Sequence, residues 1–241
     1  MILDLVNPGE ARPLTKEGFD LACEYLQIKP HVLWSVIDVE TSGGGFRQDR
    51  MPTALYQRHI FHRLSRGELT SDTSISCSIP GGYSRDMYGK IRRAAELDEV
   101  VAAKSTSWGI GQIMGFNHRI VNYDTVWGMV NEFKDSENAQ VHAMALFISY
   151  NKLAGYLQHE EWAPFARGYN GVAYAKNQYH TKLARAYERR RKIGLPDLVV
   201  RAGQMKCWFA GINPGPIDGF MGRKTEAAFS AYMKETGVSL A

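Results

Sequence analysis

Val32-Leu33-Trp34-Ser35-Val36-Ile37-Asp38-Val39-Glu40, closed by Thr41-Ser42-Gly43-Gly44-Gly45, is the stretch on which the reading of this chain turns. Leu33, Ile37 and Glu40 stand at i, i+4 and i+7 of a helix, so the carboxylate shares a stripe with side chains that must face a core. A carboxylate in that place is desolvated, and at a helix C-terminus the negative end of the macrodipole also disfavours its charged form. Both effects raise the pKa, which suits a general acid near neutral pH. The spacing alone leaves a second reading open, in which Glu40 sits at the rim of the core with its head in water.

Two later stretches keep company with Glu40-Thr41: Ser107-Trp108-Gly109-Ile110-Gly111-Gln112-Ile113-Met114, and Ala166-Arg167-Gly168-Tyr169-Asn170-Gly171. In this order the three resemble the lysozyme-like superfamily of goose-type lysozymes and lytic transglycosylases, whose signatures are Glu-Ser, Gly-Leu-Met-Gln and Ala-Tyr-Asn. The segments Pro52-Thr53-Ala54-Leu55-Tyr56-Gln57-Arg58-His59-Ile60-Phe61-His62-Arg63, Pro80-Gly81-Gly82-Tyr83 and Ser107 to Asn117 narrow the resemblance to the phage-type N-acetylmuramidase family of endolysins, over residues 14 to 192. The resemblance implies a mainly α, lysozyme-like catalytic domain with a small β/loop region. It implies cleavage of the β-1,4 bond between N-acetylmuramic acid and N-acetylglucosamine, with Glu40 protonating the leaving oxygen and Tyr169 donating its hydroxyl to Glu40. A lytic transglycosylase giving 1,6-anhydro products and a non-catalytic wall-binding protein are the alternatives.

The position held by Gln57 is more often Glu in that family, and this departure bears on mechanism. Inverting glycosidases place a second carboxylate about 6.5–9.5 Å from the acid, and retaining ones place a nucleophile at about 5–5.5 Å. An amide does neither job, but it holds a water or a sugar hydroxyl by hydrogen bonds. Asp49 and Asp86 remain as candidate bases, each equally readable as a turn or cap residue. Gly109 and Gly111 mark backbone that approaches something closely, either a sugar or a neighbouring element. Gln112 offers a donor and an acceptor, to a substrate hydroxyl or N-acetyl group or to a loop carbonyl. Among Trp34, Trp108 and Trp127, Trp108 is expected to stack on sugar because it lies inside a motif. Thr41, His59, Met114 and Asn170, inside the matching segments, complete the expected substrate contacts.

Composition agrees with an enzyme built on a sizeable core: 241 residues, 44% hydrophobic, 22% charged. A formal net charge of +4 mildly favours anionic surroundings. Cys23, Cys77 and Cys207 are odd in number and widely spaced, which implies a reduced compartment and excludes a zinc-ligand pattern. No metal or organic cofactor, no nucleic acid and no stable membrane insertion are expected, and the protein is expected to be a monomer that binds bacterial peptidoglycan. Met1 to Pro8 carry neither a basic start nor a long apolar run, so the expected location is the host cytoplasm until a holin releases the protein to the wall.

Helical spacing predicts a helix from Lys16 to Leu26 capped by Thr15, and one opened by Pro30 that ends at Glu40. Residues 52–64 read as a strand or a short helix, Ser65 to Ser84 as a loop, and Met87 to Ala103 as helical. Ser136 caps a predicted helix to Leu157, and another runs from Ala175 to Lys192. Its closing Arg189-Arg190-Arg191-Lys192 complements the helix dipole and solvates a face, or else contacts an anionic surface.

Gly194-Leu195-Pro196 breaks that helix, giving a catalytic domain over 1–193 and a C-terminal module over 194–241. The module resembles small three-helix peptidoglycan-binding modules through Gln204, the run Pro214-Gly215-Pro216-Ile217-Asp218-Gly219-Phe220-Met221-Gly222, and Thr225-Glu226-Ala227-Ala228-Phe229. The resemblance implies wall-binding roles for Gln204, Asp218 and Gly219. Thr225 reads as the N-cap of the last helix, and no basic recognition helix follows the Asp218-Gly219 turn.

Overall fold

The computed structural model describes residues 7–42 and 44–240. Met1 to Val6, read above for a leader, and Gly43 of the glycine run lie outside them. The fold is mainly helical around a buried helix. α1 (Lys16–Leu26) is capped by Thr15, whose hydroxyl accepts from the Gly18 amide at 3.1 Å. α2 (Pro30–Thr41) starts with Pro at its first position, where no N–H is needed. Val32 to Ile37 are all buried, so α2 has no polar face and is packed on every side. It stops at Ser42, which takes a left-handed conformation with φ 55°.

β1 (Ala54–Tyr56), β2 (Thr106–Trp108) and β3 (Ile113–Met114) form a small antiparallel sheet in that order, with Leu55 opposite Ser107 and Trp108 opposite Ile113. Residues 52–64 are thus a strand and a helix in succession, because α3 (Arg58–Leu64) follows β1 directly. α4 (Met87–Leu97) and α5 (Glu99–Lys104) divide at Asp98, whose side chain caps α5 through the Val101 amide. The sequence reading missed α6 (Val126–Asp135), although Thr125 caps it and Val126, Met129, Val130 and Phe133 are its buried face.

α7 (Glu137–Tyr150) is capped by Ser136 as expected but ends early. Lys152, at φ 58°, turns the chain into a separate α8 (Ala154–Gln158). α9 (Trp162–Asn170), also missed, carries the third motif, and α10 (Tyr179–Ile193) begins after Gln178 in a left-handed conformation rather than at Ala175. α10 lies along α2 in the most extensive helix pairing of the described residues. Its basic end does more than solvate a face: buried Arg190 grips Asp38 of α2 with two hydrogen bonds of 2.6 Å, and Arg189 adds a third at 2.9 Å.

The C-terminal segment has two helices, α11 (Leu198–Phe209) and α12 (Arg223–Thr236), rather than the three expected. Gly222, not Thr225, stands at the cap position of α12. Thr225 is buried in its first turn, where its hydroxyl donates to the Pro214 carbonyl. The segment's own core is small, Cys207, Ala228, Phe229 and Leu240, as its length dictates. It is docked on the rest of the chain. Met205 packs with Ala11 and Phe46 in a buried cluster that Phe209 and Ile217 adjoin, and the Phe46 and Phe209 rings meet edge to face at 6.5 Å.

At the centre of that contact Arg201 of α11 and Glu137 of α7, both fully buried, form a two-pronged ion pair at 2.5 and 2.8 Å. The same carboxylate accepts from the Leu14 and Gly45 amides, each at 2.8 Å. Breaking a buried pair from one side strands the other charge, so Arg201→Met is expected to cost about 3–5 kcal/mol of stability. Urea denaturation is the measurement. The double variant Glu137→Gln with Arg201→Met should recover part of that loss, since it leaves no stranded charge.

Candidate active site

Glu40 closes α2 with its carboxyl enclosed by protein while the residue as a whole keeps an open edge. Burial pushes its pKa up to about 8, and a hydrogen bond from Asn170 opposes the rise. The donors meet it on one oxygen. The Tyr179 hydroxyl and the Asn170 amide, the latter at 3.4 Å, both donate to Oε1. Oε2 is therefore the oxygen left to carry a transferable proton. Among the described residues no second carboxylate hydrogen-bonds to Glu40 or contributes to its shift.

The tyrosine on Glu40 is thus Tyr179, and not Tyr169 as the motif implied. Tyr169 donates to the Gly111 carbonyl at 2.7 Å and stacks on Phe165 at 5.3 Å. Its pKa is raised well above the usual value by burial and then by the charge of Glu40 beside it, so it stays a neutral donor. Tyr179 falls outside every motif. It stands four residues before Leu183 and eight before Tyr187, and the packing of α10 on α2 brings it to Glu40.

The second motif is a support for this site. Trp108, expected to stack on sugar, is wholly buried and donates its indole N–H to the Ala103 carbonyl at 3.0 Å. Gly109 has φ 71°, and a Cβ there would lie 2.7 Å from the Gln140 side chain. A Cβ on Gly111 would lie 2.8 Å from Met144. The close approach that these glycines permit is to α7, not to a sugar. Gln112 spends its amide on the Gly109 and Thr53 carbonyls at 2.9 and 3.3 Å and accepts from Ser107 at 2.9 Å. Thr41 donates to the Ile110 carbonyl at 3.3 Å, tying the end of α2 to the same hairpin. Gln112, Met114 and Tyr169 line a cavity of about 300 Å³ with Phe116 and Phe147, which leaves Met114 placed for apolar contact with a ligand.

The remaining candidates lie on α3 and around it. Gln57 precedes α3, and its side-chain carbonyl accepts from Tyr83 at 3.2 Å. His59, one residue into α3, has its pKa lowered by burial and then by the charges of Arg63 and Arg58. Asp86 caps α4 through the Gly89 amide at 2.8 Å, and Asp49 pairs with Arg47 at 2.9 Å and turns the chain at Met51. Both acids are therefore occupied as local structure. In the C-terminal segment Gln204 is wholly buried, donating to Asp218, Phe220 and Thr225 and accepting from the Gly219 amide at 2.8 Å, so it shapes the turn from within.

A family model described as N-acetylmuramidase matches residues 29–191, which hold Glu40, Gln57, the hairpin and the Tyr169 helix. The chain belongs to the N-acetylmuramidase family. The crystal structure of the Burkholderia AP3 phage endolysin is similar to it, with 35% identity and a TM-score of 0.67 over 75% of this chain and 72% of that one. No curated protein matches the chain. The muramidase is a glycoside hydrolase that acts on peptidoglycan, and Glu40 is a carboxyl in it that burial keeps protonated near neutral pH.

Glu40→Gln should abolish turbidity loss of wall suspensions with the circular dichroism unchanged, and the wild-type rate should fall as pH rises through about 8. Because the folded pKa lies above the ordinary 4.5, the fold binds an extra proton between those values, and stability is lost as pH rises across them. Glu40→Gln should therefore match the wild type in thermal stability near the acid end and exceed it above pH 8. Tyr179→Phe should lower kcat by about 10-fold or more with little change in KM. It should also move the alkaline limb upward, because the lost donor stabilises the carboxylate.

Proposed function

We propose that this muramidase is a phage endolysin that hydrolyses the β-1,4 bond between N-acetylmuramic acid and N-acetylglucosamine and so lyses the host. The observation that carries the chemistry is the single enclosed Glu40, protonated at neutral pH, with both donors on Oε1 and Oε2 left for the glycosidic oxygen. The endolysin role is supported by the 35% identity to a phage endolysin. Gln57, whose carbonyl is oriented by the Tyr83 hydroxyl, serves as the polar group that holds the incoming water. The free thiols of Cys23, Cys77 and Cys207 suit a protein kept in the reducing cytoplasm until the inner membrane is opened. The 194–241 segment adds wall contact, a reading supported by its Pro-Ile-Asp-Gly turn rather than by an exposed Gln204.

That no second carboxylate among the described residues hydrogen-bonds to Glu40 favours one second reading. Without a carboxylate base, the muramic acid 6-hydroxyl can replace water as nucleophile, with Glu40 first acid and then base, as in a lytic transglycosylase. Mass spectrometry of the released muropeptides separates the two. Hydrolysis leaves reducing muramic acid ends, whereas the alternative leaves anhydro ends lighter by one water. Gln57→Glu tests the water site: a second carboxylate there should change the rate and the pH profile, and a silent substitution would remove Gln57 from the mechanism.

A further inference from the structure

Lys182, Arg185, Arg189 and Lys192 recur at i, i+3, i+7 and i+10, so they share one exposed face of α10. Lys182, Arg185 and Lys192 pair with no carboxylate among the described residues. The acids that face the stripe are already engaged, Asp38 by Arg189 and Arg190, and Glu188 by Arg191 at 3.5 Å. Two shallow, open surface depressions that share Arg185 and Arg189 lie along it. One, of about 440 Å³, is lined by α10 residues alone, Ala184 and Ile193 among them. The other, of about 370 Å³, opens between Lys182 and Val39, the residue before Glu40. The stripe begins one turn beyond Tyr179, which holds Glu40, and from Lys182 to Lys192 it covers about 15 Å.

We propose that this stripe binds the anionic stem peptide of peptidoglycan while the glycan strand lies at Glu40. The proposal rests on the reading of peptidoglycan as substrate. A stem peptide carries alanine methyls at its two ends and free carboxylates along and at the end of the chain, and four residues extend over about 13–14 Å, close to the length of the stripe. Its carboxylates meet Lys182, Arg185 and Lys192, which pair with no carboxylate among the described residues, and its methyls meet Ala184 and Ile193. Arg185 can take a carboxylate with two parallel hydrogen bonds, while the lysines act as point charges. Binding energy gained here is remote from the reacting atoms and serves capture and register of the strand. It is also screened by salt, since every cation involved is exposed.

The test is the triple variant Lys182→Gln, Arg185→Gln, Lys192→Gln, with Arg189 left in place because it holds Asp38. Soluble glycan oligomers bearing peptides are compared with the same oligomers stripped of peptides by an amidase. The wild type should prefer the peptide-bearing oligomers by about 10-fold in kcat/KM at low salt, the product of three modest exposed pairs. The variant should lose that preference through KM, as should the wild type at high salt. A preference that survives the triple substitution, or an equal loss on both oligomers, overturns the proposal. So does a variant that keeps the preference but no longer pellets with phosphatidylglycerol vesicles, which would make the stripe a lipid-facing surface. A wild type that cleaves neither oligomer would instead overturn the reading of the substrate.

Discussion

The Glu137 carboxylate is the point on which the rest of the structure depends. A buried carboxylate is tolerated only when its lone pairs are met, and here four donors meet them: the amides of Leu14 and Gly45 and the two prongs of Arg201. Those donors come from the arm before α1, the turn after the catalytic helix, and the first helix of the C-terminal segment. Glu137 is also the first residue of α7, where the helix dipole favours negative charge. One turn on, Gln140 extends the junction: it accepts from the Ile110 amide at 2.7 Å and donates to the Phe133 carbonyl at 2.7 Å. Thus the first turn of α7 fixes both the exit from α2 and the hairpin that backs the acid.

Glu40 and Glu137 show how environment assigns opposite tasks to the same side chain. Glu137 faces a guanidinium and spends both oxygens on protein donors, so it is structural. Among the described residues no cation acts on Glu40, and its two donors meet a single oxygen, so burial dominates and its proton is retained to about pH 8. Low dielectric raises the stakes of each arrangement. A spare oxygen would be a defect at Glu137, whereas at Glu40 it leaves a place for the retained proton.

Much of this was legible in the chain. The stripe of Leu33, Ile37 and Glu40 gave Glu40 its place, and the caps Thr15 and Ser136 together with Pro30 at a first helical position gave three helix starts, because these are local effects. Trp108 lies in the right motif but is buried behind the hairpin instead of facing sugar, and Gln112 and Tyr169 line the nearby cavity while their polar atoms tie the hairpin together, since a motif marks where residues matter and not which way they point. Tyr179 was missed because only the packing of α10 on α2 brings it to Glu40 across 139 positions. The Arg201–Glu137 pair, 64 positions apart, is equally invisible to spacing. Thr225 shows the reverse error: a good capping residue was drawn into the interior by Gln204 and Pro214.

The buried guanidinium has a consequence for how such lysins can be recombined. A chimaera that exchanges the last helices for those of another lysin inherits a carboxylate prepared for a cation at one particular register of α11. Grafts with Arg at that register keep the turn after the catalytic helix in place, while grafts without it bring an unpaired charge into the scaffold beside the acid. Compatibility between the two parts would then be decided by a single position and not by linker length. A neutral isostere at Glu137 would make the catalytic part a more permissive acceptor of foreign segments.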